Sequence, residues 1–224
     1  MKKFLILLTI LIFPSALYVF LTAGKERSFV RLPYFGTKKI IRIAGNGKLQ
    51  TDTAFYTIPP FNLFNSGGGK VTNETLKGRI WVASFIRQAD TRTAPSISTL
   101  MDRVEERTNL DTTIRLVTFL LDSAGAGNPQ AYAKMVHAGS RQIFLTGPGT
   151  SVAAMAASSF YQPLDSSGAK GFNNFFLIDK EGCIRGIYNA LSIKETDRLV
   201  DEISMLEAAY YIQNEKKNKN KEAD

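Results

Sequence analysis

Phe175-Phe176-Leu177-Ile178-Asp179-Lys180-Glu181-Gly182-Cys183-Ile184-Arg185-Gly186-Ile187-Tyr188 reads as two short apolar strands folded back on each other. The polar residues Lys180-Glu181-Gly182 form the turn, so a hairpin is expected. A helical pattern follows over about 193–212, with Leu199, Ile203, Leu206 and Tyr210 on one face. Upstream the pattern differs. Buried-type strands at 80–86 and 114–121 flank a helix that begins at about Pro95, which suits a first helical turn, and runs to about Arg107. Ile97, Leu100, Met101 and Val104 share one face of that helix. Residues 129–137 read as a short helix closed by Gly139, 142–145 as a strand, and 150–160 as a helix of small residues. Before the first core strand, 58–63 is extended and Ser66-Gly67-Gly68-Gly69 is a turn. The order β-α-β-α followed by β-β-α predicts an α/β sandwich whose sheet is mixed, with flanking helices.

The chain has 224 residues, 44% hydrophobic and 21% charged, which suits one globular domain with appendages. A single Cys cannot close an internal disulfide or a CxxC pair, and a single His leaves no histidine cluster. The net charge of +8 is concentrated at one end: Lys2 and Lys3 precede seven basic residues against Glu26 over 25–50. From residue 51 onward 19 basic and 19 acidic side chains cancel, so a nucleic-acid partner is not expected.

Residues 4–24 carry no charge, and at about 1.5 Å per helical residue they span roughly 30 Å, the hydrocarbon thickness of a bilayer. We read 1–24 as an uncleaved transmembrane anchor. The competing reading is a signal peptide cut near Thr22-Ala23-Gly24, against which bulky Leu21 stands where a small residue is wanted. Lysines before the span and Lys25, Arg27 and Arg31 after it leave the orientation undecided by charge. Residues 25–53 read as a basic linker with room for one hairpin, 54–212 as the folded domain, and 213–224 as a charged disordered tail.

The α/β order is that of a thioredoxin-like domain with an extra strand and helix before the hairpin. Tyr56-Thr57-Ile58-Pro59-Pro60-Phe61, Gly68-Gly69-Lys70-Val71-Thr72, Leu76-Lys77-Gly78 and Val82-Ala83-Ser84-Phe85-Ile86 resemble the opening of the SCO/SenC-family copper proteins. Pro95, Leu121-Asp122, Phe144-Leu145-Thr146-Gly147 and Phe176-Leu177-Ile178-Asp179 continue the resemblance in order, over about 54–207. It implies a membrane-anchored thioredoxin-like domain on the periplasmic side of an inner membrane, connected with maturation of the cytochrome oxidase copper centre through protein partners. It also implies a metal site, Cys-x-x-x-Cys-Pro after the first core strand and a His six residues before the Leu of the later strand. Those positions fall on Asp90, Ala94 and Gly171, so all three ligands are missing. Copper prefers thiolate and imidazole, and thiol exchange needs a thiolate with a resolving partner.

The expected reading is therefore a non-catalytic, metal-free binding or assembly module, with no catalytic, cofactor or metal residues and no small-molecule substrate. The alternative is residual thiol-disulfide or copper handling through Cys183 or non-family ligands such as His137 and the methionines. Cys183 reads as a small buried hydrophobe, His137 as a helix-end residue, and Asp90 as a solvated turn residue. Met101, Met135, Met155 and Met205 read as core. Lys70 precedes Val71 rather than Ser or Thr, so the glycine run is no phosphate loop. The loop 88–95 and the segment 165–174, with Phe172 as a single aromatic anchor and Arg92 beside it, are expected to form a protein-binding surface.

Overall fold

The computed structural model describes residues 32–45, 48–108, 113–121, 128–147, 151–162 and 172–222, and its strands form two sheets. Strands β1 (Lys39–Gly45) and β2 (Lys48–Ala54) pair antiparallel into a sheet of their own. Seven further strands build a mixed sheet: β3 (Asn62–Asn65), β4 (Lys70–Thr72), β5 (Trp81–Ile86), β6 (Arg115–Leu120), β7 (Gln142–Thr146), β8 (Asn174–Ile178) and β9 (Ile184–Asn189). Their order across the sheet is β4-β3-β7-β6-β5-β8-β9. The neighbours β5, β6 and β7 run parallel, and every other pairing is antiparallel. The helices are α1 (Asn73–Leu76), α2 (Ala94–Arg107), α3 (Pro129–Met135), α4 (Ser151–Ser159) and α5 (Ile193–Glu222).

All six residues of β5 are buried, because helices and loops cover both faces of the sheet. Strand alternation divides the core accordingly. Val82, Leu116, Leu120 and Leu177 pack with Ile97, Met101 and Val104 of α2 and Leu199, Ile203 and Leu206 of α5. Trp81, Phe85, Phe119 and Phe176 pack on the other face with Val152 and Ala156 of α4 and with Phe160. Phe85 and Phe119 stack at 4.9 Å, and Phe160 meets Phe85 edge-on at the same distance. Burying each such side chain contributes about 1.5–3 kcal/mol. The hairpin expected between β8 and β9 is present, with Gly182 at φ +84° and the Asp179 carboxylate accepting the amides of Glu181 and Cys183.

Four expectations need correction. The predicted linker does not end at residue 53, since Leu32 is buried in the core and Phe35 N donates to Ile184 O at 2.9 Å; β9 thereby gains an extended strap. The predicted disordered tail is helical through Glu222. Helix propagation from turns docked by Leu199 and Leu206 adds one hydrogen bond per residue, glutamate and lysine favour the helix, and Tyr211 donates to Glu215 one turn on. Helix α3 is closed by His137 rather than by Gly139. His137 sits at φ +52° and donates its amide to Lys134 O, while Ala138 N bonds Ala133 O, so the backbone caps the helix. Finally, Met135 and Met205 are 59% and 44% exposed, whereas Met101 is core. The proposed anchor at 4–24 lies outside the described residues.

Candidate functional site

Strand β5 ends at Ile86, and the chain turns through 87–93 before entering α2. This loop sits at the carboxyl end of the central parallel strand, where open α/β sheets place their ligand crevices. A cleft of about 340 Å³ opens there. Phe85, Ile86, Ala94, Ile97 and Phe172 give it apolar walls, and Arg87, Asp90, Thr93 and Asn173 supply polar groups.

Asp90 holds the entrance to α2. One carboxylate oxygen accepts the amides of Arg92 and Thr93, each at 3.1 Å, and the other accepts the Thr93 hydroxyl. Its carbonyl takes the amide of Ala94 at 3.2 Å. The Asp90 carboxylate thus ties down the two residues that precede α2, and its carbonyl takes the first helical amide. Hydrogen bonding from Thr93 holds its carboxyl below the usual carboxylate range. The expected solvated turn residue is half-buried, and its carboxylate is occupied by bonds from the loop itself.

Ala94, the second expected ligand position, is 3% exposed and presents only a methyl group. Its carbonyl accepts from Tyr132 OH at 3.4 Å, and that hydroxyl also pairs with Ser98 at 2.9 Å. Gly171 lies outside the described residues, as does most of the segment 165–174. Phe172, expected to be an exposed anchor, is 7% exposed and packs 5.9 Å from Phe85. It is part of the wall of the cleft, because the aromatic face of the sheet extends to that point and offers more apolar contact than solvent does.

The remaining candidates are elsewhere. Cys183 is buried after the β8–β9 turn and is not among the cleft residues; burial pushes its thiol up to about 12. His137 is exposed at the end of α3. Among the described residues no group of three or more His, Cys, Asp or Glu side chains could hold a metal ion. Copper does not fit what lines the cleft: one carboxylate occupied by three donors and one methyl group offer no soft ligand. Phe85 and Ile97 were legible only as core, since their strand and helix patterns carry no sign of where the covering layer stops.

No family model and no curated protein matches the chain. Solved structures do. BsSco, described as a member of the Sco family of cytochrome c oxidase assembly proteins with a disulfide switch, is 22% identical with a TM-score of 0.59. The match covers 67% of this chain and 93% of BsSco. A SCO1/SenC family lipoprotein from Bacillus anthracis is 20% identical with a TM-score of 0.59, over 67% of this chain and 95% of that one. The soluble domain of Sco1 from Bacillus subtilis is 23% identical with a TM-score of 0.53, over 66% and 90%. This chain has the Sco fold. The Sco resemblance read from the sequence is thereby matched by the thioredoxin-like architecture, with its mixed sheet and flanking helices.

Proposed function

We propose that the protein is a Sco-type binding or assembly module, held at a membrane by residues 4–24, that works beside a copper-carrying partner in oxidase maturation without binding the metal itself. The observation that supports this reading is Asp90. Where a copper-binding relative would place a thiolate, this chain places a carboxylate whose oxygens are taken up by the start of α2. The cleft beside it, with apolar walls and a polar rim that includes Arg87 and Asn173, then serves as a contact surface for a protein. A thiol-disulfide role through Cys183 is disfavoured by a thiol held to about 12 and by its distance in the fold from the cleft.

The test is competition for Cu(I) against a chromogenic chelator, with the full chain in detergent. The expected result is no retention above that of an unrelated protein, and stoichiometric retention overturns the proposal. The triple variant Asp90→Cys, Ala94→Cys, Gly171→His should gain binding, which would show that the backbone still has the geometry and that only the ligands are missing.

A further inference from the structure

We propose that the β1–β2 hairpin rests in the headgroup layer of an anionic bilayer; this builds on the reading of residues 4–24 as a membrane anchor. Among the described residues the hairpin forms its own two-stranded sheet and hydrogen-bonds to no strand of the main sheet. Two strands alone are marginal in water, so such an element needs a surface. Ile40 is 76% exposed and Ile41 40%. Adjacent strand residues project to opposite faces, so the hairpin is uncovered on both faces at this level.

Charge points the same way. From Lys38 to Ala54 the hairpin carries Lys38, Lys39, Arg42 and Lys48 against one acidic residue, the exposed Asp52 opposite Ile41, and Lys38 and Lys39 are exposed. Each basic group near an anionic lipid surface raises partitioning by roughly fivefold. Chain length supplies the proximity. The carbonyl of Leu32 is held by Arg185 at 2.6 Å, and from Gly24 to Leu32 the fully extended chain reaches about 28 Å at most. Lys25, Arg27 and Arg31 in that short stretch stand against one acidic residue, Glu26. With 4–24 as the anchor, chain length alone limits how far Leu32 can be from the bilayer, and the hairpin begins seven residues after Leu32.

The experiment uses the full chain in vesicles, with Ile40→Cys carrying an environment-sensitive fluorophore; Cys183, at 5% exposure, stays unlabelled. Nitroxide on the lipid, near the headgroup, reports contact. In vesicles containing phosphatidylserine the label should be quenched, and Lys38→Gln with Lys39→Gln should weaken docking by roughly thirtyfold at low salt. Label at Thr53, the cross-strand partner of Ile40, should behave the same way, which controls for damage by the substitution. Carbonate washing reports the anchor separately. An anchored chain whose label is unquenched, or quenched equally in neutral phosphatidylcholine, overturns the hairpin proposal alone and assigns the isoleucines to solvent or a protein. A chain that washes off overturns the anchor and the tether argument with it.

Discussion

Arg185 donates to the Asp179 carboxylate at 3.1 Å while its guanidinium lies 3.9 Å over the Tyr34 ring, so one side chain joins the β8–β9 turn to the extended strap around Leu32 and Pro33. The same group donates to the carbonyls of Leu32 and Pro33. Both partners of the ion pair are nearly inaccessible. Arg185→Met should therefore leave Asp179 buried without its counter-charge and cost about 3–5 kcal/mol. Residues 32–38 should at the same time become quickly cleaved by trypsin. Arg185→Lys, a point charge that cannot serve two carbonyls and a ring together, should fall between the two. Thermal melts and limited proteolysis of the three proteins measure both effects, and unchanged protease resistance in Arg185→Met would mean that the strap is held by other contacts.

Asp90 offers a second test, through pH. Its folded carboxyl lies below the ordinary value of 3.8, so its stabilising effect is complete above about pH 5 and is lost as pH falls through the depressed folded value. Asp90→Ala removes the bonds that hold Arg92 and Thr93 and should cost about 1 kcal/mol at pH 7. Asp90→Asn should keep part of this hydrogen bonding and melt with a weaker dependence on acid between about pH 5 and pH 3 than the parent does. Parallel acid profiles for parent and Asn variant would remove the carboxylate from this account.

The strands and helices were legible because buried strands and one-faced helices write their period directly: 80–86 and Trp81–Ile86 agree, as do the helix opened by Pro95 and α2. What was not legible depended on contacts distant in sequence. Leu32 looks like a linker residue until Arg185, 153 positions away, takes its carbonyl. Phe172, set among Gly and Asn, looks like a loop aromatic until Phe85 is found beneath it. His137 capped α3 because its backbone adopted a left-handed conformation that Gly139 was better suited to supply. At the site, the sequence put Asp90 and Ala94 on the stretch that enters α2, where the structure has them, but the bonds from Arg92 and Thr93 that occupy the Asp90 carboxylate could not be read from the residues alone.

Cys183 should be silent in the native protein. With its thiol pushed up to about 12, only about one molecule in ten thousand carries a thiolate at pH 8, and the sulfur is buried as well. Reaction with a thiol reagent should be undetectable on the timescale of minutes in buffer and rapid in denaturant, with the transition following unfolding. Cys183→Ala should leave partner binding unchanged. Rapid labelling of the folded chain would reopen the thiol-exchange alternative.

Phe172 and Arg92 flank the cleft region in sequence, but the structure assigns them different roles, and their substitutions should separate cleanly. Phe172 is packed into the aromatic layer against Phe85, so Phe172→Ala should cost about 3 kcal/mol of stability and lower the melting temperature. Any loss of binding in that variant is confounded with loss of the cleft wall. Arg92 is exposed on the loop that leads into α2 and makes its structural contact through its backbone amide, so Arg92→Ala should leave the melt within about 0.5 kcal/mol of the parent. If the cleft rim meets a protein, a photo-crosslinker at position 92 should capture a partner that the same group at exposed Met135 does not, and Arg92→Ala should weaken that complex by about 2 kcal/mol, or roughly thirtyfold. Equal capture from both positions, or full affinity in a stable Arg92→Ala chain, would move the contact surface away from the loop that carries Arg92 beside the cleft.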